Sequence, residues 1–342
     1  MTEKTDIKNL SCPELERLLI QYGQQKFRAR QILKWVYQHQ AEDFSVMTNL
    51  GKELRAWLAQ RFAISQLRPV AVQTSSDGTR KYLFRLADGA HIETVRIPME
   101  EGRSTLCIST QAGCAMGCSF CMTATAGLKR HLQPAEIVNQ VCAAIADGPV
   151  TNIVLMGMGE PLHNLDNVVT ALEILYLDDG LGYGARRVTL STCGLVPEIR
   201  ELGQRIKVNL AVSLNAADDQ VRDRLMPVNQ RYPLTELIPA CADFARATRQ
   251  RVTFEYILIR GVNDSLNDAN KLVKLLHPVR CKVNLIAYNE HEGSDFLPPD
   301  AATIKNFQQR LLDRGLLATL RASKGRDIDG ACGQLSGRQQ ES

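Results

Sequence analysis

Thr105-Leu106-Cys107-Ile108-Ser109-Thr110-Gln111-Ala112-Gly113-Cys114-Ala115-Met116-Gly117-Cys118-Ser119-Phe120-Cys121 joins a strand-like run to a glycine-bearing loop that sets three cysteines at C-x3-C-x2-C. Cysteine thiolates are the usual ligands of iron-sulfur clusters, and a short loop can wrap one cubane corner by corner. Three protein ligands on a four-iron cubane leave one iron free to bind and reduce a small molecule, as catalytic metal sites keep an open position. On these residues alone two other readings stay open: buried thiols packing as small hydrophobes, or three legs of a zinc site completed elsewhere. Gly, Met and Phe around the thiols suit a tight loop over a cofactor, and no histidine follows at zinc-like spacing, which favours the cluster.

Outward from this stretch the pattern repeats. Strand-like runs at 105–110, 152–156, 187–191, 207–214, 252–259, 282–288 and 316–321 alternate with helical patterns at 134–145, 165–175, 196–202, 234–247, 266–276 and 302–312. Strict alternation means a parallel sheet with crossover helices. The expected fold class is α/β, a partial (β/α)6-type barrel over 101–335. Chemistry in such folds gathers at the C-terminal ends of the strands, and the cysteine loop follows the first strand as that rule requires.

Ahead of the barrel, Ser11-Cys12-Pro13-Glu14 reads as a capping box with proline in the first turn, after which Leu15, Leu18, Leu19 and Tyr22 recur at helical spacing. Two further helical stretches carry Phe27, Ile32, Leu33 and Val36, then Leu50, Leu54, Trp57 and Leu58. They define an N-terminal helical module over 1–65, whose Arg28, Arg30 and Lys34 suit either RNA or solvent. From 66 to 100 the period changes to two, with Asp77-Gly78 and Asp88-Gly89 as hairpin turns, so a small antiparallel sheet is expected to join module and barrel. Residues 336–342 read as a loose polar tail.

With 342 residues, 44% apolar and 23% charged, disorder is excluded. The absence of a long apolar run and of a charged-then-apolar leader implies no membrane partner and a cytoplasmic location. Ten cysteines in such a chain imply thiols kept as ligands or nucleophiles in a reducing compartment, not a disulfide scaffold. The net charge of +4 permits a nucleic-acid partner. The clusters Lys129-Arg130-His131, Arg186-Arg187 and Lys324-Gly325-Arg326 are expected to flank one active site, where they would neutralise phosphates.

Residues following each strand are ligand-like. Gly157-Met158-Gly159-Glu160-Pro161 offers close backbone approach beside one carboxylate suited to an ammonium group. Ser191, then Ser213-Leu214-Asn215, then Asn289 offer hydroxyls and amides for a ribose, a purine edge or a carboxylate. Cys332, in a small-residue loop after basic residues, is a candidate reactive thiol, and Cys107 another, although on these grounds either could be core.

C-x3-C-x-Phe-C after a first barrel strand, followed by Gly-Met-Gly-Glu-Pro, resembles the radical S-adenosylmethionine enzymes. With Asp327-Ile328-Asp329-Gly330-Ala331-Cys332-Gly333-Gln334-Leu335 it closely resembles the adenine methyltransferases of the RlmN and Cfr type over nearly the whole chain. The resemblance implies a radical S-adenosylmethionine barrel, with Cys114, Cys118 and Cys121 as ligands of a 4Fe-4S cluster and Phe120 packing beside the cofactor. It implies that Gly159 and Glu160 hold the amino group of S-adenosylmethionine and that Ser191, Ser213, Leu214, Asn215 and Asn289 line the rest. Cys332 would be the cysteine that is itself methylated, Cys107 its resolving partner, and Glu93 a proton acceptor. Some relatives carry His where Asn215 stands and Ala where Gly330 stands. The implied reaction is radical methylation at carbon 2 of adenine in 23S ribosomal RNA and tRNA. It would use two S-adenosylmethionine molecules per turnover, a flavodoxin-type electron donor and a disulfide reductant, with the enzyme acting as a monomer.

Methylation of ribosomal RNA at adenine carbon 8, as in the Cfr branch, is the alternative, since both branches use the same cysteines. A non-catalytic iron-sulfur or zinc RNA-binding protein is a third reading, which gives no reason for Cys107 and Cys332. Cys12, Cys142, Cys193, Cys241 and Cys281 have no part in the scheme and are expected in the core, with Cys193 reserved because it follows Ser191 at a strand end.

Overall fold

Glu14 accepts the Ser11 N–H at 2.8 Å and proline sits in the first turn, so the capping box opens helix α1 (Cys12–Gln21) where the sequence places it. The structure, a computed structural model, describes residues 4–337. The polar tail expected over 336–342 therefore lies, from 338 onward, outside the described residues. Helices α2 (Arg28–Tyr37) and α3 (Lys52–Arg61) follow, and Leu15, Leu19, Ile32, Leu33 and Leu58 are completely buried between them. Each such side chain contributes about 1.5–3 kcal/mol. Tyr22 stacks on Trp57 with ring centroids 4.3 Å apart, tying α1 to α3. Strand β1 (Thr5–Asp6) pairs in parallel with β2 (Phe62–Ala63), which brings both ends of the helical segment together.

A ten-stranded sheet forms the rest of the frame. Its antiparallel flank is β3 (Pro69–Thr74), β4 (Arg80–Arg85) and β5 (His91–Pro98), turned at Gly78 and Gly89 with φ of 82° and 83°, the conformation Asp-Gly hairpins need. This flank is not a free-standing sheet. β5 pairs antiparallel with β6 (Ser104–Cys107), Val95 opposite Cys107, so the hairpins extend the barrel sheet. Beyond β6 the chain makes a short hairpin of β7 (Gln111–Gly113) and β8 (Leu128–His131), with the helical turn α4 (Met122–Thr125) between them.

Parallel strands β9 (Asn152–Leu155), β10 (Val188–Thr192), β11 (Asn209–Ser213), β12 (Val252–Leu258), β13 (Cys281–Ala287) and β14 (Ala318–Arg321) complete the sheet in sequence order outward from β6. The crossover helices are α5 (Pro134–Ile145), α6 (Leu165–Tyr176), α7 (Val196–Arg205), α9 (Leu234–Thr248), α10 (Leu266–Leu276) and α11 (Ala301–Asp313). Short helix α8 (Asp219–Leu225) lies ahead of α9. β14 and β3 are each paired on one side only, so the barrel stays open. The first strand ends at Cys107, three residues earlier than its β-prone sequence suggests, because Gln111 to Gly113 leave the ladder to pair with β8.

The helical module docks on α5. Lys8 is 1% exposed, and its Nζ donates to Asn139 Oδ1 at 2.6 Å and to the Ser65 carbonyl at 2.9 Å. Asn9 accepts the Ala135 N–H at 2.9 Å. One continuous apolar core runs from Ile7 to Leu335.

Candidate active site

The cysteine loop is pinned at both ends. Gly113 has φ 80°, and a Cβ there would fall 1.9 Å from the Gly127 carbonyl oxygen, so only glycine lets the β7–β8 hairpin close. Within the loop, Cys114 N–H donates to the Gly127 carbonyl at 3.0 Å, Ser119 N–H to the Leu225 carbonyl at 3.0 Å and Met122 N–H to the Gly333 carbonyl at 2.8 Å. Cys114, Cys118, Cys121 and Phe120 consequently line one cavity at the C-terminal ends of the strands.

Burial pushes the Cys114 thiol up to about 12 and the Cys118 thiol well above its ordinary value. A buried thiol gives up its proton to a metal, since coordination replaces the proton and removes the charge penalty. Among the described residues no three Cys, His, Asp or Glu side chains converge on one point as a single ion requires. A cubane takes each thiolate on a different iron and needs no such convergence. The donor set therefore fits a cluster better than a zinc ion.

Opposite the thiols, Glu160 is 4% exposed. Its carboxylate accepts the Cys193 N–H at 2.7 Å and the Leu162 N–H at 3.0 Å, and burial raises its pKa against the pull of those donors. Ser191, Ser213 and Asn215 also line the cavity. Asn215 sits at φ 57° with its amide between the Ile257 N–H and Met226 Sδ. Asn289 donates to the Cys332 carbonyl at 3.1 Å, while its Oδ1 is buried without a partner, as an acceptor awaiting a ligand would be.

Three of the strand-end residues also have packing roles. Gly157 and Gly159 line the cavity, but their missing side chains serve protein packing: a Cβ would meet Ile108 backbone at 2.7 Å and Gln111 at 2.5 Å. Leu214 is fully buried and spends its backbone on the Glu255 carbonyl and Arg222 Nε, so it shapes the wall from behind.

Cys332 faces the same cavity across from the cysteine loop. Although it keeps exposed surface, that surface looks inward, and desolvation pushes its thiol up to about 11. Cys107 is buried beside β5, and burial first, then the charge of Cys332, raises its pKa. All ten cysteines are free. Glu93 is 1% exposed and does not line the cavity. Its carboxylate pairs with Lys81 at 3.2 Å and accepts the Ser336 and Gly337 N–H groups at 2.8 Å each, strapping down the segment that follows Cys332.

The basic clusters do not all flank this cavity. Arg186 and Arg187 precede β10, at the opposite end of the sheet, because a parallel strand separates its two termini by its own length. Arg130 is held by Glu136 and Asp88. Lys324 and Arg326 stay on the Cys332 loop. In the module, Arg28 is held by Gln31 and the Asn49 carbonyl and Arg30 by Asp179 at 3.5 Å, and Arg30 and Lys34 border a surface groove with Trp35 and His39.

One wall residue, Glu255, and one behind the wall, Arg222, lie outside the sequence expectations. Glu255 faces the cavity from β12, its pKa raised by burial and opposed by the Asn284 amide at 2.9 Å. Its signal was present: in Val252-Thr253-Phe254-Glu255-Tyr256-Ile257-Leu258 one carboxylate interrupts an otherwise apolar or neutral alternation. Cys193 lines the cavity as well, whereas Cys142 and Cys241 are buried elsewhere. Arg222, on α8, is completely buried behind the wall.

The Radical SAM superfamily model matches residues 108–274, and the ribosomal RNA large subunit methyltransferase N-terminal domain model matches residues 5–64. The dual-specificity RNA methyltransferase RlmN of Syntrophotalea carbinolica is 61% identical, over 98% of this chain and 90% of its own length. That of Geobacter sulfurreducens is 55% identical over 99% and 94%. This chain belongs to the RlmN family. A crystal structure of a radical SAM methyltransferase from Sphaerobacter thermophilus superposes with a TM-score of 0.90 at 46% identity, covering 98% of this chain and 100% of that one. As an RlmN family member the protein is an S-adenosylmethionine-dependent methyltransferase with the radical SAM fold, and that family implies a 4Fe-4S cluster and the use of S-adenosylmethionine. No described helix is long and apolar enough to cross a membrane.

Proposed function

We propose that this protein methylates carbon 2 of an adenine in 23S ribosomal RNA and of an adenine beside the anticodon of tRNA, with Cys332 as the methyl carrier. The observation that carries this reading is the shared cavity of Cys332 and the three loop cysteines. Adenine carbon 2 is electron-poor and does not displace a methyl from a sulfonium, but it accepts a carbon radical.

Cys114, Cys118 and Cys121 would hold the 4Fe-4S cluster, and Glu160, Ser191, Ser213, Asn215 and Asn289 would bind S-adenosylmethionine, with Phe120 packing beside it. When bound, the two supply a methyl group that a thiolate can displace and, from a second S-adenosylmethionine after one-electron cleavage, a radical that abstracts hydrogen. The Cys332 sulfur takes the methyl, and the methyl carbon, after losing a hydrogen atom, bonds to the base as a thioether. The base carbon gives up its proton to a general base; Glu93, buried and held by Lys81 and the 336–337 backbone, lies outside the cavity in this structure. The Cys107 thiolate then attacks the Cys332 sulfur, and the bond from that sulfur to the methylene breaks with its electron pair on the carbon, which takes a proton to become the methyl group; the one unpaired electron would return to the cluster, and a Cys107–Cys332 disulfide remains. An external reductant restores both thiols, and a flavodoxin-type protein provides the electrons for radical formation. Lys324 and Arg326, in the loop that leads to Cys332, would neutralise phosphates of the RNA. We read the enzyme as a cytoplasmic monomer.

Nucleosides from RNA incubated with the reconstituted enzyme test the reading by mass spectrometry. 2-Methyladenosine from both RNAs is expected, and 8-methyladenosine alone would overturn it.

A further inference from the structure

Arg222 is the largest fully buried side chain among the described residues, at 0% exposure. Its guanidinium donates only to neutral groups: Nε to the Leu214 carbonyl at 3.1 Å, Nη1 to Asn229 Oδ1 at 2.8 Å, and Nη2 to the carbonyls of Cys193 at 2.7 Å and Ser213 at 3.3 Å. No carboxylate of the described residues lies within ion-pair distance of it. A guanidinium stays protonated in proteins, and a buried charge is costly unless an opposite charge meets it. Hydrogen bonds satisfy this one's geometry, and the one carboxylate whose charge bears on it, Asp219, stays outside ion-pair distance.

Its position supplies the missing anion. Cys193 follows β10 and Ser213 ends β11, where the cavity wall stands, and Cys193 N–H is held by the Glu160 carboxylate at 2.7 Å. Three residues along α8, the Leu225 carbonyl accepts both N–H and Oγ of Ser119, between two loop cysteines, at 3.0 and 3.4 Å. Pro227, just after α8, sits against Gly117. One short helix thus touches the cysteine loop at its end and two strand ends through one side chain. Cys118 and Cys193 are among the groups whose charge Arg222 feels. An iron-sulfur cluster held by three thiolates is anionic, and gains one more negative charge on reduction.

We propose that Arg222 is a positioning residue that locks the cysteine loop against the ends of β10 and β11, and that its unmatched charge is the counter-ion of the reduced cluster. This rests on the cluster reading of Cys114, Cys118 and Cys121. A fixed cation close to a cluster favours the reduced form, because net charge and hydrogen bonding set its potential.

The test is an EPR-monitored redox titration of the anaerobically reconstituted protein and of R222K and R222Q, each with its iron content measured. R222K, which keeps the charge, is expected to stay near the parent midpoint, and R222Q to shift to a more negative one with iron content retained. Where R222Q does not fold, R222H serves in its place: its midpoint is expected to fall as pH rises through imidazole titration, more steeply than that of R222K. A parent midpoint unchanged in R222Q, or an R222H midpoint that follows R222K at every pH, would overturn the counter-ion role. A parent chain that binds no iron would overturn the cluster reading, and this inference with it.

Discussion

Two sides of Cys332 treat buried charge in opposite ways. Beneath it, the cavity lining holds Glu160 and Glu255, with Arg222 behind it, all with hydrogen bonds but without ion pairs, beside thiols whose pKa values burial raises. Behind it, the strap pairs its buried carboxylate with a cation and leaves its other carboxylates, which are exposed, to neutral donors. Lys81 meets Glu93, Asp327 accepts from Ser75 Oγ at 2.6 Å and Ser76 N–H at 3.0 Å, and Asp77 accepts the Gly325 N–H at 2.9 Å. Charges matched inside the protein hold a segment in place, and charges left unmatched wait for a ligand. The strap is therefore built to position Cys332, and the lining to receive a charged cofactor.

The largest expected effect comes from removing the group between the two sides. C332A should retain iron but form no methylated base, measured by nucleoside mass spectrometry beside iron analysis; turnover in that variant would end the covalent scheme. C107A should instead accumulate protein-bound RNA that survives denaturing electrophoresis, because the thioether forms and nothing resolves it. Free product at the parent rate would remove Cys107 from the mechanism.

Breaking the strap should cost stability without touching the lining. K81M leaves the Glu93 carboxylate buried with only backbone donors, and losing one partner of a buried pair costs about 3–5 kcal/mol. Denaturant unfolding measures it, and a loss below about 1 kcal/mol would mean that solvent reaches the pair.

The two sides should also separate by pH in cofactor-free protein. Glu160 has a raised folded pKa, so its contribution is complete below 4.5 and is lost as pH rises through the folded value. Asp77 is held down to about 2, since hydrogen bonds from Thr79 and Gly325 outweigh its desolvation, so its contribution is present above 3.8 and is lost as pH falls through about 2. Thermal melts across pH should show E160Q flattening the decline above 4.5 while leaving the acid limb unchanged. An unaltered decline in E160Q would shift that role to Glu255. The smallest effect is expected of D77N, which weakens two hydrogen bonds on the exposed edge of the strap and should cost about 1 kcal/mol.

The loop carrying Cys114, Cys118 and Cys121 was legible because its ligands are close in sequence, and strand-helix alternation made the barrel legible for the same local reason. Capping at Ser11 and the Asp-Gly turns are local as well. Glu255 was legible only to a reader who asked why one carboxylate interrupts an apolar strand. Arg222 carried no signal: in Asp219-Gln220-Val221-Arg222-Asp223-Arg224-Leu225 it is one charge among four on a short helix, and its burial depends on the ends of β10 and β11. Glu93 stood out in sequence, yet its engagement with Ser336 and Gly337 is a contact across the whole chain.

By itself, then, the sequence determined the order of strands and helices, the cysteine loop at the first strand's end and the kind of residue at the others, because side-chain period and turn chemistry act over a few residues. Only the tertiary structure decided that Cys332 returns to that loop, that β5 fuses the hairpins to the barrel, that Arg186 and Arg187 lie at its far end, and which buried charges have partners. Those outcomes depend on burial and on pairings between distant segments, and neither is a property of any short stretch of chain.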